Sequence, residues 1–272
     1  MTEPKSQLLS LKEEFYKLKN KVCFLLSSKD TSKYNHIQSY LYFIHFPLFS
    51  FTESIIILCE NDKTKPANVL LRVLFEAHIN IIYHQLKDSD YRLAVSTKAM
   101  FDQRIKTLRE LKELIQKYEN LKSTNPANLL NEEYLEKAEK WNQKELQAVL
   151  RGNNLQEKIR DLDLKSKAIK CDEEFDKEIE KGHFEQMYTL VYRYLSPFSH
   201  LDIEGLQAFV KKTETGIYSF DDGDDEERLI TEAIGICFAF SKDLVELNII
   251  ENQITDEVRC IESLLKNRGE KV

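Results

Sequence analysis

Residues that end helices are scarce in this sequence. Its 272 residues include only 7 Gly and 5 Pro, the two residue types that most often mark turns and helix ends. The long stretches between them are rich in Leu, Glu, Lys, Ile and Gln, most of which favour helices. The sequence therefore predicts an all-α protein, a multi-helix bundle that forms a single helical domain over residues 1–272.

The spacing of the apolar residues predicts which helices form the core. They recur at intervals of three and four, as expected for helices that bury one face. Four helices are expected at the centre of the bundle, over residues 33–60, 66–86, 183–196 and 225–250. Pro47 is expected to bend the first of these helices or to split it in two.

The middle of the chain is rich in charged residues. Residues 123–171 contain a break around Pro126, followed by helical segments with little apolar surface. We expect this stretch to form a charged helical insertion or arm within the domain, held in place by Trp141. Further along, weak alternation around a glycine over residues 213–220 predicts the only hairpin-like piece.

The charge balance limits the kinds of partner that the protein can take. A net charge of −7 excludes general binding of a phosphate backbone by the whole surface, because that requires clustered Lys and Arg. The most basic region is residues 98–122, in which seven basic residues stand against four acidic ones. Two interpretations of this region stay open, an ordinary solvated helix face and a local surface that contacts RNA.

The cysteines and the apolar windows of the sequence indicate the cellular compartment of the protein. The five cysteines are widely spaced and include no C-x-x-C pair, so we expect neither a disulfide framework nor a zinc ribbon, and a reducing compartment. The N-terminus is charged and lacks the apolar core of a signal peptide. The most apolar window, Leu41–Cys59, contains His45, Pro47 and Glu53, and is expected to be a buried helix. The sequence thus predicts a soluble, cytoplasmic protein that does not contact a membrane.

Common motifs for binding phosphate or metal are missing from the sequence. It contains no Gly-rich phosphate loop, no G-x-S-x-G elbow and no H-E-x-x-H helix. The acidic loop over residues 221–227 lacks the spaced carboxylates of a calcium loop, and its acids suit the start of the helix that follows. We expect no metal site and no cofactor.

The most informative stretch is HFEQMYTLVYRYLSPFSHLD, in the second half of the chain. Six residues separate Arg193 from His200. Tyr192, Ser196 and His200 follow one another at intervals of four, so an unbroken helix would carry them on one face. Because Pro197 disfavours helical geometry at the residue before it, we expect these polar groups at a helix end or kink.

A second informative stretch is the helix over residues 66–86. It is apolar over a wide surface, yet it carries Arg72 and Glu76 in its middle. Their spacing allows them to pair, and charged groups in so apolar a helix need a partner or a purpose. We expect both to lie beside the Tyr192–His200 segment, where a polar cluster would relieve the cost of burying them.

In chemical terms, a histidine beside an arginine suits metal-free cleavage of RNA. His200 can transfer protons at neutral pH, and the guanidinium of Arg193 can hold the scissile phosphate and stabilise the extra charge on its oxygens. The nucleophile would be the 2′-hydroxyl of the RNA, so neither a protein nucleophile nor a metal is needed. The alternative is structural: His200 caps the kinked helix, and Arg193 pairs with an acid on a neighbouring helix.

The spacing between Arg193 and His200, at a helix end in an all-helical protein, resembles the R-x4-6-H motif of the HEPN superfamily of helical nucleic-acid-associated domains. Many members of that superfamily are metal-independent endoribonucleases in toxin–antitoxin and antiviral systems. The chain also resembles a group of uncharacterised bacterial proteins that pair an R-x-L-F-E-type helix, here Arg72–Glu76, with a later Y-x-x-x-S-x-x-x-H, here Tyr192, Ser196 and His200.

The resemblance implies a homodimer and a set of partners. HEPN-type enzymes line one cleft with two motifs, and an isologous interface would bring both copies of Arg193 and His200 to one seam. The expected partners are RNA and a cognate antitoxin or another protein of a defence system. The residues expected to support the site or to bind substrate are Arg72, Glu76, Tyr192 and Ser196.

Two functions therefore stay open. The first is an HEPN-like, metal-independent endoribonuclease that acts as an effector in bacterial antiviral defence or toxin–antitoxin growth arrest. The alternative is a non-catalytic helical module that binds a nucleotide or a partner protein, with Arg72, Glu76, Tyr192 and His200 as a structural polar network.

Overall fold

The chain is described by a computed structural model. The described residues are 4–117, 132–174, 182–192, 210–212, 218–220, 226–250 and 252–266. They fall into two compact units. The first unit comprises Met1–Leu86 together with Leu164–Val272, and the second comprises Lys87–Asp163.

The fold is all-α, as the sequence predicts. The helices are α1 (Pro4–Ser27), α2 (His36–Glu60), α3 (Thr64–Gln85), α4 (Ser89–Lys117), α5 (Glu132–Gly152), α6 (Leu164–Glu174), α7 (His183–Gln186), α8 (Glu226–Glu246) and α9 (Thr255–Lys266). Two short 3-10 turns cover Thr31–Lys33 and Asn252–Ile254, and a π-helix over Met187–Tyr192 continues α7.

One short hairpin accompanies the helices. Its strands, β1 (Val210–Lys212) and β2 (Tyr218–Phe220), pair antiparallel with Val210 opposite Phe220. The hairpin expected over residues 213–220 is therefore present, with its first strand just upstream of that range.

The core of the first unit forms where its apolar helices meet. Helix α2 packs against α3 and α8, α8 also packs against α3, and α1 packs against α8 and α9. Each helix buries a stripe with the expected spacing, which is why the predicted central helices 33–60, 66–86 and 225–250 are found there. Among the described residues, the largest fully buried side chains are those of Phe15, Phe49, Phe184, Phe238 and Phe240.

Polar contacts fix how α1 and α2 meet. The Nζ atom of Lys12 lies 2.8 Å from Oε1 of Glu60, and that of Lys19 lies 2.6 Å from Oε2 of Glu53. Because residue numbers rise along one helix as they fall along the other, the two helices run antiparallel.

Pro47 does not split α2, which continues from His36 to Glu60. A proline inside a helix typically costs ~3 kcal/mol, because it removes a backbone hydrogen bond and its ring crowds the preceding turn. Here the residues that follow it, Leu48 and Phe49, are buried, so packing of the helix offsets that cost.

Helix α2 is long and apolar enough, by length and composition, to cross a membrane. Its most apolar 18-residue window has a mean hydropathy of 1.6, and 33% of that window is buried. It packs against α3 and α8 in the first unit, and Phe43 and Phe46 on its outer side are exposed. A core helix and a membrane span both satisfy such a test, so the observation is weak evidence for either.

The second unit is formed by α4 and α5, which pack against each other. Its bounds differ from those of the insertion expected over residues 123–171. It begins at Lys87, so α4 belongs to it, and it ends at Asp163. Helix α6 belongs to the first unit instead, because its residues Ala168 and Cys171 are fully buried there.

Candidate functional site

The structure describes the elements that lead into the predicted motif. Arg193, Ser196 and His200 lie outside the described residues, and Tyr192 is described only by its backbone, as the last residue of the π-helix. The candidate site is therefore built from α3, α6, α7 and the π-helix, on which the position of the motif depends.

Asp172, near the end of α6, fixes the start of α7. Its two carboxylate oxygens accept hydrogen bonds from the backbone N–H groups of Phe184 (2.9 Å) and Glu185 (2.8 Å). Such groups have no partner inside a helix, and the helix dipole favours a negative charge beside them. Gly182, just before α7, has a φ angle of 88°, which glycine adopts without strain. Helix α6 thus sets where the segment leading to the motif begins.

Phe184 anchors the same segment to the core of the first unit. It is 1% exposed and belongs to a buried cluster, against which Met187 and Tyr188 of the π-helix pack. The other buried members of the cluster are Ile79, Ile82, Tyr83, Leu86, Ala168 and Cys171. The π-helix consequently packs against both α3 and α6, and π-helical turns are frequent at functional sites.

A polar network lies between α3 and α6 beside this cluster. The ammonium of the buried Lys167 donates to Oδ1 of Asn80 (3.0 Å) and lies 5.3 Å from the centroid of the Tyr83 ring. The amide of Asn80 in turn donates to the backbone carbonyl of Glu76 (2.8 Å). An amide oxygen and an aromatic face together stabilise a buried ammonium. Sequence reasoning missed Lys167, because it lies in a charged segment that looked solvated.

Two histidines contact Phe184. The ring centroid of His78 lies 6.1 Å from that of Phe184, and the ring centroid of His183 lies 5.2 Å from it. Burial, and then the positive charge of His183, lower the pKa of His78 from 6.5 to about 4. His78 is therefore neutral at physiological pH, so it does not add a positive charge to this region.

The charged pair predicted on α3 is less buried than its apolar surroundings suggest. Arg72 is partly buried and Glu76 is exposed, so the cost of burying a charge does not apply to Glu76. Helix α3 packs against the π-helix that ends at Tyr192. The prediction that both residues lie beside the Tyr192–His200 segment involves residues outside the described ones, and it stays a prediction.

Four basic residues of the region over residues 98–122 pair with acids of the second unit. Lys98 pairs with Asp102 (2.6 Å), Lys106 with Glu110 (3.9 Å), Arg109 with Glu139 (2.8 Å) and Lys112 with Glu139 (2.6 Å). Hydrogen bonds from Lys112 and Arg109 lower the pKa of the Glu139 carboxyl. An open groove of about 730 Å³ beside these residues is lined by charges of both signs. The described part of this region thus carries charges of both signs, and contact with RNA there stays a prediction.

In the described part of the chain, no group of three or more His, Cys, Asp or Glu side chains is placed to hold a metal ion. The histidines His78 and His183 both lie near the ring of Phe184 and belong to no such group.

Comparison with known proteins places the chain in a family. The chain belongs to the family of unknown function DUF5677, whose model matches residues 38–217. The match includes α3 with Arg72 and Glu76, and also Tyr192, Arg193 and His200. No curated protein and no solved structure gives a significant match.

Proposed function

We propose that this DUF5677 protein is an HEPN-like, metal-independent endoribonuclease in which Arg193 and His200 act on RNA. The observation that supports this most is how firmly the segment before the motif is held. Asp172 caps the start of α7, and Phe184 buries its side chain between α3 and α6. A catalytic pair needs such support, because small displacements of reacting groups greatly slow a reaction.

The proposed chemistry is attack by the RNA's own 2′-hydroxyl. The 2′-oxygen attacks the adjacent phosphorus, and the 5′-oxygen of the next nucleotide leaves. One histidine accepts the proton from the 2′-hydroxyl, a proton is returned to the leaving oxygen, and a guanidinium stabilises the charge on the phosphate oxygens. The products are a 2′,3′-cyclic phosphate and a 5′-hydroxyl.

One chain supplies a single Arg193 and a single His200, whereas the reaction uses a proton acceptor, a proton donor and a cation. The proposal therefore includes a homodimer in which two motifs line one cleft. Tyr192 directly precedes the motif and Ser196 lies within it, and Arg72 and Glu76 lie on the helix that packs against the π-helix. All four are assigned supporting or substrate-binding roles.

The proposed biological role is that of an effector in bacterial antiviral defence or toxin–antitoxin growth arrest. Such an enzyme would work in the cytoplasm, where its RNA substrates are, and its activity would be held in check by an antitoxin or another partner until it is needed. The family match, the all-α fold and the R-x6-H spacing are all compatible with this role.

A comparison of variants tests the proposal. Wild type, Arg193→Ala and His200→Ala are compared for toxicity on expression in bacteria and for cleavage of single-stranded RNA by the purified proteins. The matched controls are His36→Ala and Arg259→Ala, which change an exposed histidine and an exposed arginine on other helices. Both activities are expected to vanish in the two motif variants and to persist in the controls, with all five proteins folded by circular dichroism.

Undiminished cleavage by either folded motif variant would reject the assignment. Loss of folding in both variants, with no cleavage by wild type, would favour the alternative, a binding module for a nucleotide or a partner protein. In that case Arg193 and His200 would belong to a structural polar network like the one formed by Lys167 and Asn80.

A further inference from the structure

The outward side of α5 combines exposed aromatic rings with exposed cations. Tyr134 and Trp141 are 55% and 52% exposed. They are seven positions apart in the sequence, which corresponds to about 10.5 Å along the same side of the helix. The opposite side of α5 is buried at Leu135, Asn142 and Leu150, where the helix packs against α4.

The cations on this outward side follow the same spacing. They are Lys137, Lys140, Lys144 and Arg151, and all four are exposed. Residues three, four and seven apart share a helix face, so these cations alternate with Tyr134 and Trp141 along the surface. We call this set of six residues the α5 face.

The acids near the α5 face leave it positive. Glu133 pairs with Lys137 (2.6 Å) and Glu136 with Lys140 (4.0 Å), and both pairs are exposed. Exposed ion pairs are weak and are screened by salt, so a phosphate can compete for these lysines. Glu145, four residues after Trp141, lies on the same side of α5. Four cations therefore stand against three acids, Glu133, Glu136 and Glu145, which leaves the α5 face with a net charge of +1 in a protein whose net charge is −7.

The ring of Trp141 is supported from behind. Its centroid lies 6.1 Å from that of the buried Phe101, edge to face, and the guanidinium of Arg104 lies 6.0 Å from the centroid of that same phenylalanine ring. A ring supported in this way loses little conformational freedom when it binds a ligand. Trp141 is thus held on one side and open to solvent on the other.

The geometry points to the α5 face as a binding surface for single-stranded RNA. Bases stack on Tyr134 and Trp141, and backbone phosphates contact Lys137, Lys140, Lys144 and Arg151. Exposed rings interleaved with cations are what a single strand needs, because its bases are free to stack while its backbone is negative. A duplex hides its bases and could use only the cations.

This inference deepens the proposed function, because it assigns the substrate strand a surface in the second unit, and it rests on that function for the choice of RNA. It also moves the expected RNA contact from the region over residues 98–122 to α5. Four cations of α4 in that region pair with acids, whereas Lys137 and Lys144 of the α5 face each lie three residues after an exposed ring, that of Tyr134 or Trp141.

Binding of a strand that cannot be cleaved separates this inference from catalysis. The probe is a fluorescein-labelled 2′-O-methyl oligouridine, which lacks the 2′-hydroxyl nucleophile, and its affinity for the full chain is measured by fluorescence anisotropy. Tyr134→Ala and Trp141→Ala are each expected to weaken binding between about fivefold and about a hundredfold, as loss of one stacked base does. Trp141→Phe should retain most of the affinity, because it keeps a ring.

The charge contribution is tested by Lys144→Glu, with the affinity measured over a range of salt concentrations. For a single strand, log K falls with log salt by about 0.7 for each phosphate that is neutralised. Lys144→Glu should therefore weaken binding at low salt and reduce that slope by about 0.7 or more. The matched controls, Tyr91→Ala and Lys33→Glu, change an exposed tyrosine of α4 and an exposed lysine of the first unit, neither of which belongs to the α5 face, and should leave affinity unchanged.

The result that overturns the inference is an affinity that Tyr134→Ala and Lys144→Glu change no more than the controls do. Equal affinity for a duplex of the same length would also overturn it, because stacking could not then contribute. If Trp141→Ala fails to fold, the affinity of Tyr134→Ala alone tests the contribution of stacking. Since the probe cannot be cleaved, binding through the α5 face would hold even if Arg193 and His200 proved inactive, and cleavage would hold even if the α5 face bound nothing.

Discussion

At the scale of single residues, His78 links folding to pH. Its pKa falls from 6.5 to about 4 because the imidazole is buried and His183 lies nearby. Between those two pH values the unfolded chain binds a proton at this residue and the folded chain does not. The free energy of unfolding should therefore decrease as the pH falls from 6.5 toward 4, by up to about 3 kcal/mol from this residue alone.

Denaturant unfolding of His78→Gln over this pH range tests the prediction. The variant should lose less stability than wild type on acidification, because glutamine does not titrate. His36→Gln, which changes an exposed histidine, should follow the wild-type curve. Equal losses in all three proteins would show that His78 does not titrate as described.

Some residues of the candidate site could not be predicted from the sequence. Lys167 and His78 could not be assigned to a site from the sequence, because their roles depend on tertiary contacts. Lys167 contacts Asn80 and Tyr83, and His78 lies near the ring of Phe184. A sequence gives the spacing along one helix, but not which neighbouring helix covers it. Conversely, the charge of Glu76 looked buried in the sequence and is exposed, because an apolar helix still has a side that faces water.

At the scale of elements, the junction between α6 and α7 should control the motif that follows. Replacing Asp172 by alanine removes both acceptors for the N–H groups of Phe184 and Glu185. Loss of such a cap typically costs about 0.5–2 kcal/mol. We expect Asp172→Ala to lower the free energy of unfolding by that amount and to slow RNA cleavage, because the support of the motif is loosened.

Glu173→Ala is the matched control, since Glu173 is an exposed neighbour whose carboxylate pairs with Lys170 on the same helix. That variant should stay within about 0.5 kcal/mol of wild type and should cleave RNA normally. Thermal melts and initial cleavage rates provide the two readouts. An Asp172→Ala protein that matches Glu173→Ala in both would contradict the role given to the cap.

The bounds of a helix were predicted well where the helix has one wide apolar stripe. Helices α2, α3 and α8 were found close to their expected ranges, because their stripes are wide. The packing partner of helix α4 was harder to predict. Its narrow apolar stripe, over Leu93, Phe101 and Ile105, does not indicate which apolar surface covers it. The pairing of its cations Arg109 and Lys112 with Glu139 depends on α5, which is distant in sequence, so composition could not predict it.

At the scale of the whole molecule, the first unit should fold without the second. Leu86, where the first unit breaks off, belongs to the buried cluster around Phe184, and Leu164, where it resumes, packs against that cluster. The two ends are therefore close enough for a short linker. A chain in which residues 87–163 are replaced by a Gly-Ser linker is expected to remain helical and to unfold cooperatively.

Circular dichroism with thermal melting checks this expectation. Deleting α6 instead, residues 164–174, should prevent folding, because it removes Ala168 and Cys171 from the core. A linker variant without a cooperative transition would show that the first unit is not independent. The folded linker variant should also lose affinity for single-stranded RNA, since the α5 face is gone.

For the molecule as a whole, the sequence predicts the fold class more directly than the function. Scarce Gly and Pro and a helical period were enough to predict an all-α fold. The bounds of the second unit were not predictable in the same way, because charge content does not reveal which helices pack together. The proposed function rests on Arg193 and His200, whose spacing is a local signal, and a spacing alone does not decide between catalysis and a structural role.

The chemistry of the RNA ends tests the central claim most directly. Wild-type protein is incubated with single-stranded RNA in EDTA, and the products are analysed by mass spectrometry. The account predicts 2′,3′-cyclic phosphate and 5′-hydroxyl ends, formed by wild type and by neither Arg193→Ala nor His200→Ala. Products with 3′-hydroxyl and 5′-phosphate ends, or cleavage that stops in EDTA, would contradict it.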